Sequence, residues 1–228
     1  MTHGRCSSYF SSVATFVTYA GLQFYDSFAT LIRSASRIEE IGMAARIEPL
    51  LTVADLDACP DDSNRYELIE GELFVSRAPG IPHQRVLNNL QMALGSYIRE
   101  NPIGIVVPGA GAVFSDYDAV IPDLVFVRNE RWSEVVTEIR FTGAPDLVIE
   151  ILSPGKENRD RDLLVKRQLY AKYGVGEYWI VDADDRSVQV YRLQEQRLEN
   201  VATRRNDEEI TTPLLPGFQL SVSTIFKL

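Results

Sequence analysis

The chain has 228 residues, 45% of them hydrophobic, and a formal net charge of −9. That length gives one domain with an extension or two small domains, and the hydrophobic content supports a sizeable globular core. The acidic balance argues against a nonspecific nucleic-acid coat, though not against an enzyme whose local basic patches or bound cations meet nucleic acid. Cys6 and Cys59 make neither a metal spacing nor a disulfide framework, which fits a reducing cytoplasm.

Residues 1–42 differ from the rest. They hold three basic and three acidic residues, so the whole net charge lies downstream. Cys6 to Tyr25 carry no charge, but Ser, Thr and Gly interrupt the apolar residues. A spanning helix needs roughly 20 predominantly apolar residues, and a signal peptide needs a basic start and a small-residue cleavage site. Neither pattern is met well, so the segment reads as an extension of unclear role rather than a membrane anchor. Met43 reads as the natural start of a domain over 43–228, with a helix around Thr30–Ile41 able to fold back on it.

Thr52 with Asp55 three residues on marks the start of a short helix. Asp61-Asp62-Ser63-Asn64 is a turn. Arg65 to Val75 reads as a tight hairpin, with Gly71 supplying a positive φ. After the rigid Ala78–Pro82 loop, Val86, Leu87, Leu90, Ala93, Leu94, Tyr97 and Ile98 recur at helical spacing, which predicts a helix from about His83 to Arg99. Asn101-Pro102 stops it. Ile105–Val107, Ala112–Ser115 and Val120–Val127 read as strands, and residues 128–144 as a long polar connection. The stretch Ala144–Pro154 reads as a short strand apolar on both faces, bounded by proline. A helix from about Asn158 to Tyr173 ends at Gly174. Glu177–Asp182 and the alternating Ser187–Leu193 are strands, and the tail from Arg197 reads as an edge strand or two. The order predicts an α/β (α+β) fold, a central mixed sheet flanked by helices.

Two acids interrupt apolar runs, Asp123 and Glu150. A carboxylate there costs several kcal/mol unless a cation or a hydrogen-bond donor meets it. Asp146 and Glu150 share a strand face but lie roughly 13 Å apart, too far to clasp one ion. Asp123 can join Glu150 if the two strands are neighbours, and with the Ile151 carbonyl they would suit Mg²⁺. Acids solvated at strand ends, or paired with arginine, are the competing reading. Lys166 falls on the inward stripe of its helix with Leu163, Leu169, Tyr170 and Tyr173, so it either meets a carboxylate or snorkels to water. Glu67 either binds metal, orients a lysine, or is an exposed strand residue. His83, at a helix start, either caps the helix or contacts a phosphate, and Gln84 is equally open. Asp160 and Asp162 read as first-turn acids that complement the helix dipole.

Tyr66-Glu67-Leu68-Ile69-Glu70-Gly71-Glu72, Pro82-His83-Gln84, Pro122-Asp123, Pro145 to Pro154, Asp160, Lys166, Tyr170 and Gly174 to Asp182 together resemble the Uma-two family. These are bacterial endonucleases of the restriction-endonuclease-like PD-(D/E)xK fold. The resemblance covers about Met43 to Leu228. It implies that Asp123 and Glu150 are the metal-binding acids and that Glu67 is a further acid of the site. His83-Gln84 matches a motif on the substrate side. Leu152 stands where the usual lysine would be, and the resemblance implies that Lys166 replaces it from the next helix.

The implied activity is divalent-metal-dependent hydrolysis of DNA phosphodiesters with Mg²⁺ (or Mn²⁺), in a cytoplasmic protein for which a homodimer would suit two-strand cleavage. The alternatives are a nucleic-acid-binding protein that keeps the fold without cleaving, and a two-carboxylate enzyme such as a glycosidase.

Overall fold

The structure is a computed structural model that describes residues 49–153, 155 and 159–227. The extension over 1–42 and the helix expected around Thr30–Ile41 lie outside the described residues. A short helix α1 (Val53–Asp57) opens the described chain, and the Asp55 carboxylate accepts a 2.8 Å hydrogen bond from the Thr52 N–H. The hairpin β1 (Asn64–Ile69) and β2 (Glu72–Arg77) follows, turning through Glu70 (φ 53°) and Gly71 (φ 77°). Helix α2 (Ile81–Glu100) buries Val86, Leu87, Leu90 and Leu94, the stripe its spacing predicts. It begins two residues earlier than expected, with Pro82 in the first turn, where its missing N–H costs nothing.

Next come β3 (Gly104–Pro108), β4 (Ala112–Ser115), β5 (Asp118–Val120) and β6 (Leu124–Arg128). The single strand expected over Val120–Val127 is in fact two, in different sheets. Pro122 has no N–H to give a ladder, so the chain leaves one sheet at Val120 and enters the other at Leu124. Asp123 therefore stands in the break between sheets. The polar 128–144 connection contains a 3-10 turn (Asn129–Arg131) and a short helix α3 (Trp132–Val135), pinned by the buried Phe141. Strand β7 (Leu147–Ile151) then crosses over through a π-helical turn (Arg161–Val165) and helix α4 (Lys166–Lys172) to β8 (Glu177–Asp182). β9 (Ser187–Gln194), β10 (Arg197–Arg205), β11 (Glu209–Ile210), β12 (Leu220–Ser221) and a small helix α5 (Val222–Ile225) finish the chain.

The central sheet runs β10-β9-β8-β7-β6-β3, and a smaller one runs β2-β1-β5-β4. In the central sheet only β7 and β8 are parallel, which is what a helical crossover permits. Side chains alternate across it. Leu124, Phe126, Leu147, Ile149, Ile151, Trp179 and Val181 pack toward α2. Val125, Val127, Val148, Tyr178 and Ile180 pack toward Leu169, Tyr170 and Ala171 of α4. By that period of two, Glu150 projects to the α4 face. No helix among the described residues is long and apolar enough to cross a membrane.

Candidate active site

β6 and β7 pair antiparallel with Leu124 opposite Ile149, so Asp123 comes one step further, beside Glu150. Both acids are buried, each 3% exposed. Asp123 Oδ2 accepts hydrogen bonds from His83 Nε2 (3.0 Å) and the Ile151 N–H (2.9 Å). Its Oδ1 accepts from Arg65 Nη1 (3.1 Å). Glu150 Oε1 accepts from Lys166 Nζ (2.9 Å) and the Tyr170 hydroxyl (2.7 Å). Glu67 reaches in from the smaller sheet, and its Oε1 accepts from the Ile121 N–H and lies 2.8 Å from Lys166 Nζ.

Asp162 stands in the first turn, as its sequence reading has it, but it also faces the site. It is 3% exposed and lies 3.8 Å from Lys166. Asp162, Lys166 and Tyr170 follow at four-residue spacing, which puts them on one helix face, and Arg161 reaches Glu67 and Asp162 from the π-helical turn beside them. Lys166 is 2% exposed and bound by carboxylates, so it does not snorkel. His83 sits three residues past the Gly80 N-cap and turns its ring to Asp123 instead of capping. Its Nδ1 is buried and has no partner among the described residues.

One pocket is lined by Glu67, His83, Asp123, Glu150 and Lys166, and also by Arg65, Arg77, Arg161 and Asp162. Gln84 is exposed and does not line it. Sequence reasoning missed Arg65, Arg77, Arg161 and the Tyr170 hydroxyl as members. For Arg65 a signal existed: it stands two residues before Glu67 on one strand, hence on the same face. Asp146, read as a strand-start residue, is held at the far end of β7 by Arg128 and Arg131.

Charge sets the behaviour of the pocket. Burial pushes the Glu150 carboxyl up to about 8; Lys166 pulls it down, and Asp123, Asp162 and Glu67 push it further up. Burial also outweighs Lys166 and Arg161 at Asp162, raising it. At Asp123 burial is outweighed by His83 and the Ile151 N–H, so its carboxyl falls below the usual range. Burial opposes the charge on Lys166, but Glu150, Glu67 and Asp162 more than offset it and hold the ammonium above the ordinary lysine range. A carboxyl raised by burial and by other acids, against the pull of Lys166, marks a place short of positive charge.

The oxygens that could take a divalent cation are those of Asp123 and Glu150 with the Ile151 carbonyl. Among the described residues no three His, Cys, Asp or Glu side chains close a metal cluster. Two carboxylates, with water and substrate oxygens completing the shell, is nonetheless the habit of Mg²⁺, and the donor set fits it.

A mixed sheet with acids on adjacent strands, and a lysine from the crossover helix, defines a restriction-endonuclease-like protein. The Uma2 family model, described as "Putative restriction endonuclease", matches residues 53–223, and the chain belongs to that family. Among solved structures, the crystal structure of "a putative nuclease belonging to DUF820" from Anabaena variabilis ATCC 29413 is similar, with a TM-score of 0.65 and 23% identity. The match covers 77% of this chain and 97% of that one, and at such identity it speaks to the fold. No curated protein matches the chain.

Proposed function

We propose that this chain is a divalent-metal-dependent endonuclease that hydrolyses phosphodiester bonds of DNA, with Mg²⁺ as the cation and Mn²⁺ as a substitute. The observation that carries the proposal is the buried Lys166 ammonium, 2.9 Å from Glu150 and 2.8 Å from Glu67 in the pocket that Asp123 lines. Asp123, Glu150 and the Ile151 carbonyl would hold the cation. Bound there, it would supply the Lewis acidity that offsets charge on phosphate oxygens and makes water a better nucleophile.

The chain's own groups do the rest. His83 and the Ile151 N–H fix Asp123 Oδ2 in one orientation. Lys166 stays protonated, so it serves as a fixed positive charge for the phosphate's developing negative charge rather than as a base. Glu67 holds that ammonium in place. A water oxygen forms the new P–O bond in line, the old P–O bond breaks, and the leaving oxygen takes a proton. A homodimer would bring two such sites to the two strands.

The test is cleavage of plasmid and linear DNA, with RNA alongside, in Mg²⁺ or Mn²⁺. The parent chain cuts and Lys166→Ala and Asp123→Ala do not; equal cleavage by all three would sink the assignment. One observation favours a second reading, a nucleic-acid-binding protein that no longer cleaves: both oxygens of Asp123 already have protein partners. Calorimetric cation binding with no cleavage favours that reading.

A further inference from the structure

The cations of the pocket are not equivalent. Lys166 has 3% of its side chain exposed and three carboxylates around it. Arg161 has 10% exposed and lies between Glu67 (3.9 Å) and Asp162 (3.4 Å). Arg65 has 26% exposed, and its partner among the described residues is a single oxygen, Asp123 Oδ1. A guanidinium has five N–H donors in a fixed fork, a shape matched to carboxylate and to phosphate. One donor of Arg65 is used, and the partly exposed side chain lines the pocket with its cross-strand neighbour Ser76.

The two oxygens of Asp123 differ in the same way. Oδ2 is held by a backbone N–H and by a buried ring, His83, neither free to leave. Among the described residues, Oδ1 has the partly exposed Arg65 as its one hydrogen-bond donor. An added cation therefore has Oδ1 as its accessible oxygen, and it competes there with the guanidinium, because like charges at contact distance repel.

Resting on the nuclease reading above, we infer that Arg65 exchanges between two partners, Asp123 Oδ1 and a phosphate of the DNA substrate. A divalent cation that takes Oδ1 releases Arg65, and the freed fork, always charged, binds the phosphate bidentately. Cation and DNA then favour one another through this side chain, each raising the other's affinity. A residue that merely orients Asp123 would behave oppositely, because its removal would weaken cation binding.

The experiment uses the full chain and its variants Arg65→Gln and Arg65→Lys. Mn²⁺ alone is titrated by calorimetry, and a fluorescent DNA duplex is titrated in Ca²⁺, with a gel to show that the duplex stays intact. Arg65→Gln should bind Mn²⁺ roughly two- to fivefold more tightly, the worth of a partly exposed ion pair removed. It should bind the duplex about tenfold more weakly, the worth of one bidentate contact. Arg65→Lys, a point charge without the fork, should fall between on the duplex. Unchanged or weaker Mn²⁺ binding by Arg65→Gln, or unchanged duplex binding, overturns the inference. Should Arg65→Gln fail to fold, Arg65→Lys carries the test, and duplex affinity equal to the parent's overturns it. A parent chain that neither binds Mn²⁺ nor cleaves DNA removes the nuclease reading and this inference together. A parent that does both, with variant affinities unchanged, removes the inference alone.

Discussion

Removing one partner of a buried ion pair leaves the other desolvated and uncompensated, at a cost of about 3–5 kcal/mol. Lys166 faces Glu67 and Glu150 at hydrogen-bond distance, so Lys166→Ala should lower the unfolding free energy by about that amount as well as abolish cleavage. Urea denaturation without divalent cation measures it, and a loss below about 1 kcal/mol would mean the ammonium is not what compensates these acids. Asp118 provides a second measurement away from the site. It is buried, and burial alone would raise its carboxyl. The Tyr173 hydroxyl (2.6 Å), the Glu70 N–H (2.7 Å), Lys172 (3.1 Å) and Ser115 (3.1 Å) outweigh burial and lower it below 3.8. The folded state then holds its proton less tightly than the unfolded chain. The stability it contributes is present above about pH 4 and lost as pH falls toward the lowered value. Melting temperatures between about pH 5 and 2 should fall less steeply for Asp118→Asn than for the parent, and parallel curves would refute it. At this scale the chain text was uneven. Lys166 was legible because it interrupts an apolar stripe. Asp162 was not, because a first-turn place already accounts for an acid, although its four-residue spacing to Lys166 puts both on one face.

The elements follow local chemistry closely. Apolar spacing sets α2 and Gly174 in the left-handed region (φ 84°) ends α4, whereas β9, expected to be half-exposed and alternating, lies inside the sheet with Ser187, Val188, Val190 and Tyr191 all buried. The hairpin carrying Arg65 and Glu67 depends on Gly71, whose φ of 77° is one that only a residue without a Cβ adopts cheaply. A Cβ there would also meet Leu50 Cβ at 2.7 Å. Gly71→Ala should therefore cost about 1–3 kcal/mol, read as a lower denaturation midpoint, and a midpoint equal to the parent's would count against this account. The break between β5 and β6 was misread because an apolar run hides a change of sheet. Pro122 was the mark of it, since a proline inside an apparent strand argues against a continuous one. Helix α5 has four residues, too few for a periodic signal.

Across the whole molecule, a net charge of −9 leaves little surface to hold DNA by phosphate contacts. Four permanently charged side chains line the pocket: Arg65, Arg77, Arg161 and Lys166. Duplex binding in Ca²⁺ should thus weaken with salt on a log–log slope no steeper than about −4, at roughly one unit per phosphate neutralised. A slope near −8 would reveal a basic face beyond the pocket, again by the same count. Strand periods, helix stripes, turn residues and the presence of two misplaced acids were all settled within a few residues along the chain, because they rest on backbone geometry and near-neighbour sterics. The company those acids keep was settled only by folding. Asp123 meets Glu150 because β6 and β7 pair antiparallel, and it meets Arg65 and His83 across 58 and 40 residues. Glu67 reaches Lys166 from a different sheet. Such contacts depend on strand order and on which face a helix returns to, and no local pattern encodes either.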